Sequence, residues 1–336
     1  MGEFSSSASI TPASDTGRRE LLLAELDAAQ ARYEDAALAA TSRRAYASSL
    51  KHFADWCQQL ELVAYPAAAD TVARYAVFRA QNGLKVSSLD RALAAIRYLH
   101  LFGPDPDAAD PTVSPRVVRT MRGIRREHAG SPQPKRALSA RDVIAMVEPL
   151  DLTTNAGVRD RAVLMFGYAA GMRRGELAAL ERADLEDDPD GVRALLRGAK
   201  GDTAHAGQLI GVAFGPSDGL CPVRALRAWL DACPGLAGPV FRPVDRHDNI
   251  AARSLSGQAI ADILKRRARA AGLDPATVAG HSLRSGHATG AARAGEELTR
   301  IQKQLRHRRI DTTAGYVQTA NVVRESSSRH LWDDLV

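Results

Sequence analysis

The sequence has little of what a secreted, membrane-bound or metal-dependent protein would need. Only three cysteines occur in 336 residues, Cys57, Cys221 and Cys233. Their separations fit neither a disulfide framework nor a metal site. A reducing, cytoplasmic compartment is the expectation. The longest run without a charge or strongly polar residue, Ala162 to Met172, has eleven residues. A bilayer needs roughly 20, so no membrane association is expected. The first twenty residues are polar, with no apolar stretch of the secretory kind. Met1-Gly2 with Ser6 fits a myristoylation pattern formally, as so short a pattern does by chance. There is no glycine-rich phosphate loop, no paired-carboxylate cluster and no Cys/His ligand set. Lysine is scarce as well, six against 39 arginines. The many alanines point to GC-rich coding as one source of that excess, so the arginines prove little by number alone.

What is present is an ordinary soluble balance, 45% hydrophobic and 25% charged. The length argues for more than one core and most simply for two domains. The formal net charge of +6 is unevenly spread, with +5 over 41–130 and +8 over 253–309. A near-neutral middle separates the two basic blocks. Two basic surfaces on a soluble protein suggest a polyanion held between two lobes; two solvated basic faces are the plainer alternative.

Residues 1–17 are rich in Ser, Thr and Ala and read as an unstructured tail. Leu21 to Leu38 has helical periodicity. Thr41 is placed to cap a second helix, in which Tyr46, Leu50, Phe53 and Leu60 form an apolar stripe beside Trp56. A third helix spans 70–80 and stops at Asn82-Gly83. Ser87 or Ser88 is placed to cap a fourth, with Leu89, Leu93, Ile96 and Leu99 inward. Ser114 and Pro115 open a fifth, with Val118, Met121 and Arg125 on one side. Arg116, Arg119, Arg122 and Arg126 recur along it at helical spacing. Residues 128–136, HAGSPQPKR, read as an extended linker. Beyond it come a Ser139-capped helix to Leu150, a buried helix from Val158 to Ala170 broken by Gly171, and a short helix to Leu180. Three short strands follow near 183–186, 192–196 and 207–212. Helices return at 222–232, 257–271, 281–294, 298–306 and from 312. The fold class is therefore mainly α: an N-terminal helical bundle plus a mixed α/β C-terminal domain with a small antiparallel sheet. The expected divisions are 1–37 as tail and possible helix, 38–130 as helical domain, and 131–336 as second domain with a tail at 321–336.

The residues that could carry chemistry are cations and one tyrosine. They lie in GMRRGEL (171–177), GAKGD (198–202), HSLR (281–284), LRH (305–307) and TTAGY (312–316). Breaking a phosphodiester without a metal needs charge neutralisation at the two non-bridging oxygens. Arginine supplies it through a planar, permanently charged fork. A tyrosine hydroxyl can attack in line once a base takes its proton, and a lysine or histidine can protonate the leaving oxygen. Arg173, Arg284, Lys200, His281, His307 and Tyr316 could fill these roles, with Glu176 one turn after Arg173 placed to hold that arginine. His281 and Arg284 at a helix start could also use free backbone N–H groups to hold a phosphate. Taken singly, each has a plain reading as a surface arginine, a hairpin-tip lysine or a routine helix pair. The joint pattern is far more specific than its parts.

In that order and spacing, the chain resembles the tyrosine site-specific recombinases, the family of phage integrases and of the Cre and Xer enzymes. The likeness runs through Gly-Met-Arg-Arg-Gly-Glu-Leu, a hairpin lysine, His-Ser-Leu-Arg-Ser-Gly-His-Ala-Thr, Gln-Leu-Arg-His and Thr-Thr-Ala-Gly-Tyr. Thr41-Ser42-Arg43-Arg44-Ala45-Tyr46, continuing to Phe53 and Trp56, resembles the family's core-binding, SAM-like helical domain. The resemblance implies that Arg173 and Arg284 bind the scissile phosphate and that Lys200 protonates the leaving 5′ oxygen. It implies that His281 helps deprotonate Tyr316, that His307 hydrogen-bonds the phosphate, and that Glu176 supports the site. Tyr316 would form a 3′-phosphotyrosine, with no cofactor or metal, on the way to a Holliday junction. Implied partners are double-stranded DNA with inverted-repeat sites and a homotetramer on two such sites. The tail bearing Val322, Val323, Leu331, Trp332 and Leu335 would dock on a neighbouring protomer, or else fold back on its own domain.

Both lobes would grip the duplex. The expected contacts are Arg116, Arg119 and Arg122 from the first domain, and Arg253, Lys265, Arg266 and Arg267 from the second. Base readout is expected from the helix starting near Ser256 and Gln258. His287, one turn beyond Arg284, reads as a packing residue. A type IB topoisomerase or telomere resolvase shares the same chemistry and stays open here. So do a non-catalytic DNA-binding relative and a metal-dependent nuclease built on His281, His287 and His307.

Overall fold

A computed structural model describes residues 15–105, 107–128, 135–197, 207–233, 235, 237–322 and 326. The chain divides into two units, Met1–Pro132 and Gln133–Val336. Its fold is mainly α with one three-stranded antiparallel sheet among the described residues, as the periodicities indicate.

The first unit holds α1 (Asp15–Ala36), α2 (Ala40–Gln59), α3 (Ala69–Gln81), α4 (Val86–Phe102) and α5 (Pro115–Glu127). Its core gathers Phe53, Trp56, Tyr75, Leu89, Ile96, Val117 and Met121. Phe53 meets Tyr75 edge-on at 5.0 Å between ring centres, a geometry that satisfies the ring quadrupoles. Each large apolar side chain buried here contributes about 1.5–3 kcal/mol.

Several local expectations are corrected. Thr41 does not cap α2: the Ala39 carbonyl already accepts from Arg43 N at 2.9 Å, so Thr41 lies inside the first turn. Leu60 is at the C-cap and 54% exposed rather than on the buried stripe. Neither Ser87 nor Ser88 caps α4, because Lys85 supplies the first carbonyl and Val86, already in the helix, packs on the core. On α5, Val117, Met121 and Ile124 make the buried stripe; Val118, about 100° further round, emerges into solvent. Ser114 does cap α5, its side chain accepting from Arg116 N.

The second unit opens with α6 (Ala140–Val147), closed at its start by a capping box between Ser139 and Asp142. Helix α7 (Asn155–Ala169) runs through the interior against α6, α9 and α11, which is why its sequence lacks a polar face. Helix α8 (Arg174–Ala179) leads to β1 (Leu185–Asp188), β2 (Gly191–Leu196) and β3 (Gln208–Ala213). Leu185 pairs with Ala194, and Leu196 with Gln208. Then come α9 (Pro222–Asp231), α10 (Gly257–Ala270), α11 (Ser282–Arg293), α12 (Leu298–Leu305) and α13 (Ile310–Asn321). The core centres on Trp229, Phe166, Phe241 and Leu264. Cys57, Cys221 and Cys233 are all buried and unbridged.

Two glycines govern how the chain passes between these helices. Gly171 adopts φ 58, which lets the chain leave α7 and turn sharply into Met172-Arg173. At Gly286 a Cβ would lie 1.9 Å from the Leu138 carbonyl oxygen, so only glycine lets α11 pass this close to that backbone. Asp160, fully buried on α7, is held by Arg159 at 2.6 Å, Arg267 at 2.7 Å and Arg266 at 3.2 Å. This ionic cluster ties α7 to α10. Among the described residues, no helix is long and apolar enough to cross a membrane.

Candidate active site

Arg173 stands at the N-cap of α8, immediately after the Gly171 turn. Glu176, three residues on, reaches back to accept from Arg173 N at 2.7 Å and from its Nη1 at 2.5 Å. The helix start therefore fixes both the backbone and the guanidinium of Arg173. Burial alone would raise the Glu176 pKa; Arg306 and the Arg173 amide and guanidinium overcome this and hold it below the usual value.

Arg284 sits in the first turn of α11 and is 1% exposed. Its Nη1 donates to the Gly171 carbonyl at 2.8 Å and its Nη2 to the Leu305 carbonyl. Burial, then the nearby Arg173 and Arg306, lowers its pKa to about 9, so it stays charged at neutral pH. The carbonyls of Gly171 and Leu305 thus hold together three segments that lie far apart in sequence.

His281 is the N-cap of α11, and its Nε2 lies 3.1 Å from the Tyr316 Oη. The Tyr316 ring comes from α13 and packs beside Ala288, Ala292, Ile301 and Leu305. His307 follows the end of α12; its ring lies parallel to that of Tyr316, 6.1 Å between centres and 15° between planes. Its Nδ1 is 2.8 Å from Thr313 Oγ1. When that nitrogen accepts the threonine proton, Nε2 carries the ring proton and can donate to an anion. Burial, then Arg284 and Arg173, pulls the His281 pKa down. Burial, then Arg284, Arg173, His281 and Arg306, pulls that of His307 down to about 4. Both imidazoles are therefore neutral near pH 7.

Of the seven residues singled out from sequence for the centre, six meet in one network. Lys200 lies outside the described residues, as do Val323, Leu331, Trp332 and Leu335 of the tail. His287 is on the same helix but turned away: its Nδ1–H donates to the Tyr168 carbonyl at 3.0 Å and the ring meets Tyr168 edge-on. That is the packing role its spacing suggested, and it differs from the ligand role of the nuclease alternative. Among the described residues, no three His, Cys, Asp or Glu side chains group as a metal site.

The expected nucleic-acid contacts separate into two kinds. Arg116, Arg119 and Arg122 are exposed on α5, with Arg116 2.9 Å from Asp70. Arg253 and Lys265 are also exposed. Ser256 caps α10, and Gln258 donates to Asp262 at 2.9 Å. Arg267, however, is largely buried on Asp160, and Arg266 reaches the same carboxylate. Burial of an uncompensated carboxylate would be costly, so Arg267 is engaged by the fold, whereas Arg266 touches Asp160 at 3.2 Å with its side chain still 56% exposed.

Three features were not legible in the sequence. Thr313, fully buried, orients His307. Arg306, inside a motif already marked for its neighbours, joins the network through Glu176 at 2.7 Å. Beside His307, a groove of about 690 Å³ between β3 and α12 is lined by Arg300, Lys303 and Arg308. The only available signal was the density of cations between residues 300 and 309.

Comparison with known proteins bears on this arrangement. Residues 137–322 match the model of the phage integrase family, and residues 33–103 that of the phage integrase N-terminal SAM-like domain. The chain is 30% identical, over 86% of its length and 85% of the other's, to an integrase/recombinase xerD homolog of Selenomonas ruminantium. It is 28% identical to the tyrosine recombinase XerD of Pseudomonas putida, over 84% of this chain and 88% of that one. Among solved structures, the XerH site-specific recombinase in a post-cleavage complex with palindromic difH substrate superposes with a TM-score of 0.61 at 17% identity. That match covers 86% of this chain and 79% of XerH. A lambda integrase dimer bound to a COC′ core site gives 0.58 at 16%, covering 87% and 93%. At these identities the two structures speak for the fold alone.

Proposed function

The chain belongs to the phage integrase family of tyrosine recombinases, and from that premise we propose that it recombines DNA at specific sites through a transient phosphotyrosine. The observation that carries the reading is the 3.1 Å approach of the Tyr316 hydroxyl to His281 Nε2, within the network of Arg173, Glu176 and Arg284. Nucleophile, base and cations belong to one subunit, which supports cleavage in cis.

The chemistry follows from the charges. A phosphodiester entering the site brings one negative charge to a cluster in which Arg173, Arg284 and Arg306 outnumber the single carboxylate of Glu176. Arg173 and Arg284 bind the non-bridging oxygens and gain strength as charge builds in the transition state. Neutral His281 accepts the Tyr316 proton as the phenol oxygen bonds to phosphorus. His307 donates to a phosphate oxygen. The bond from phosphorus to the 5′ oxygen breaks, and Lys200, on the β2–β3 connection, gives that oxygen a proton. The product is a 3′-phosphotyrosine and a free 5′ hydroxyl. One phosphodiester has been exchanged for another at nearly level energy, so a 5′ hydroxyl from a second strand can reverse the step without ATP, metal or cofactor.

Exchange between two duplexes requires several protomers at once. The reading therefore includes inverted-repeat sites, a homotetramer passing through a Holliday junction, and a tail (321–336) that docks on a neighbour. The 38–130 region acts as the core-binding domain and 131–336 as the catalytic one, working on DNA in the cytoplasm. Arg116, Arg119, Arg122, Arg253 and Lys265 contact the backbone, and the start of α10 near Gln258 contacts bases.

The test is covalent trapping. Genomic DNA captured by the protein is sequenced to define a site, a nicked duplex of that site is incubated with protein in EDTA, and the mixture is denatured. A protein–DNA band is expected from the unaltered chain and none from Tyr316→Phe. A band that needs magnesium, or that survives in the Phe variant, overturns the assignment. Mixing Tyr316→Phe with Arg173→Ala protein tests the cis geometry: no band is expected, and restored cleavage would reject it.

A further inference from the structure

We infer that Arg306 is a positioning residue for strand cleavage: it fixes Glu176, and through it Arg173, against the turn that presents His307. The inference rests on the recombinase reading and adds a residue to it.

Arg306 is anomalous first in its backbone. It ends α12 at φ 56, in the left-handed region. A side chain at such a position carries a steric cost that glycine avoids. Its own side chain is only 3% exposed, and burying a guanidinium is unfavourable unless it is paired. A strained backbone and a buried charge at one residue are retained together only if the contacts compensate. Two of those contacts face the site and one is local to α12, while the buried Nε has no hydrogen-bond partner among the described residues. Nη2 donates to Glu176 Oε2 at 2.7 Å and lies 3.3 Å from the Gly171 carbonyl; Nη1 donates to the Gln304 carbonyl at 2.6 Å. The same Gly171 oxygen accepts from Arg284. The next residue in the chain is His307. One guanidinium therefore touches the carboxylate that orients Arg173 and the carbonyl that anchors Arg284, and it sits in the turn that carries the second histidine.

The charge distribution gives this contact a consequence. With Arg306 on Oε2, the one negative charge of Glu176 is shared between two guanidiniums. Without Arg306, Glu176 would neutralise Arg173 alone, and Arg173 would attract a phosphate less. Nor is this a plain structural staple, because Arg306 also acts on His307. Among the described residues, the charged and titratable groups that act on or stack against His307 include Arg173 at the start of α8, His281 and Arg284 on α11, and Tyr316 on α13. Arg300 and Lys303 on α12 and the flanking Arg306 and Arg308 line the groove beside His307. Arg306 is among the cations that hold the His307 pKa down. Its influence is smaller than that of burial, Arg284, Arg173 or His281, so its removal should let that pKa rise by less than the loss of Arg284 or Arg173 would.

Three substitutions test the assignment on the full-length protein: Arg306→Gln, Arg306→Gly and Arg306→Lys. Glycine is at ease at this φ, so Arg306→Gly keeps the test valid if glutamine impairs folding, which thermal melts would report. Single-turnover formation of the covalent band on the nicked site is timed for each, and the His307 ring is titrated by NMR in the free protein. The Gln and Gly variants should slow covalent-band formation by about tenfold or more, as loss of a positioning contact does. They should also move the His307 midpoint upward from about 4. Arg306→Lys should recover most of the rate. Unchanged rates in Gln and Gly overturn the inference. So do slowed rates with an unmoved His307 and no recovery by lysine, which would mark a fold contact only. Failure of the unaltered protein to form the band at all would count against the recombinase reading itself.

Discussion

One carboxylate among three arginines governs the behaviour of single side chains in this site. Glu176 holds Arg173 and Arg306, yet it cannot cancel them and Arg284 together. The surplus positive charge depresses both histidines after burial has already done so. The sign of the consequence is definite. In the unfolded chain these imidazoles take up protons near the ordinary value of about 6.5, whereas the folded protein resists until lower pH. Between about 6.5 and the His307 value of about 4, the unfolded state binds more protons, so stability falls as pH is lowered through that window. Urea titrations at stepped pH should show this loss. Replacing His307 by Asn should flatten it, and an unchanged slope would show that His307 is not the group responsible.

Helix termini and helix crossings decide where those side chains stand. Arg173 and His281 are both N-cap residues, Arg284 is in a first turn, and His307 follows a helix end. None is held in mid-helix, so each depends on how its helix is packed. The Asp160 cluster is one such determinant, since it joins α7, which leads into Gly171 and Arg173, to α10. Asp160→Asn removes the charge that three arginines share. Loss of one partner from a buried ionic group typically costs about 3–5 kcal/mol. A clear drop in the denaturation midpoint of the second unit is therefore expected, at unchanged fold by circular dichroism. A loss below about 1 kcal/mol would mean that water already solvates the cluster.

For the molecule as a whole, the net charge of +6 and its two basic blocks set how it would meet DNA. Each backbone phosphate neutralised by an arginine contributes about 0.9 to the slope of log affinity against log salt. Arg119→Ala and Arg122→Ala together should lower that slope by about 2 while weakening cognate and unrelated duplexes alike. Binding measured across a salt series checks this; a loss confined to the cognate site would mean that α5 reads bases. Arg267→Ala should behave differently and act on stability first, because its guanidinium serves Asp160.

The sequence by itself determined the helical bundle, the small sheet and which residue types are offered as the proposed reacting groups. Periodicity encodes which face of a helix is buried, and the nucleophile, base and cations must be specific residue types whatever surrounds them. It also determined that Glu176 would hold Arg173, because a contact three residues along a helix start is local. Helix starts were less legible: Thr41, Ser87 and Ser88 are good caps by composition, yet packing of Val86 and the turn at Ala39 placed the ends elsewhere. Only the tertiary structure decided that Arg306 and Thr313 join the site, that Arg266 and Arg267 serve Asp160, and that Tyr316 meets His281 within one subunit. These contacts span between six and 135 positions of chain, from Thr313 with His307 to Arg306 with Gly171. No local pattern records which of many arginines a fold will turn inward, because that choice belongs to the buried carboxylates and carbonyls it must satisfy.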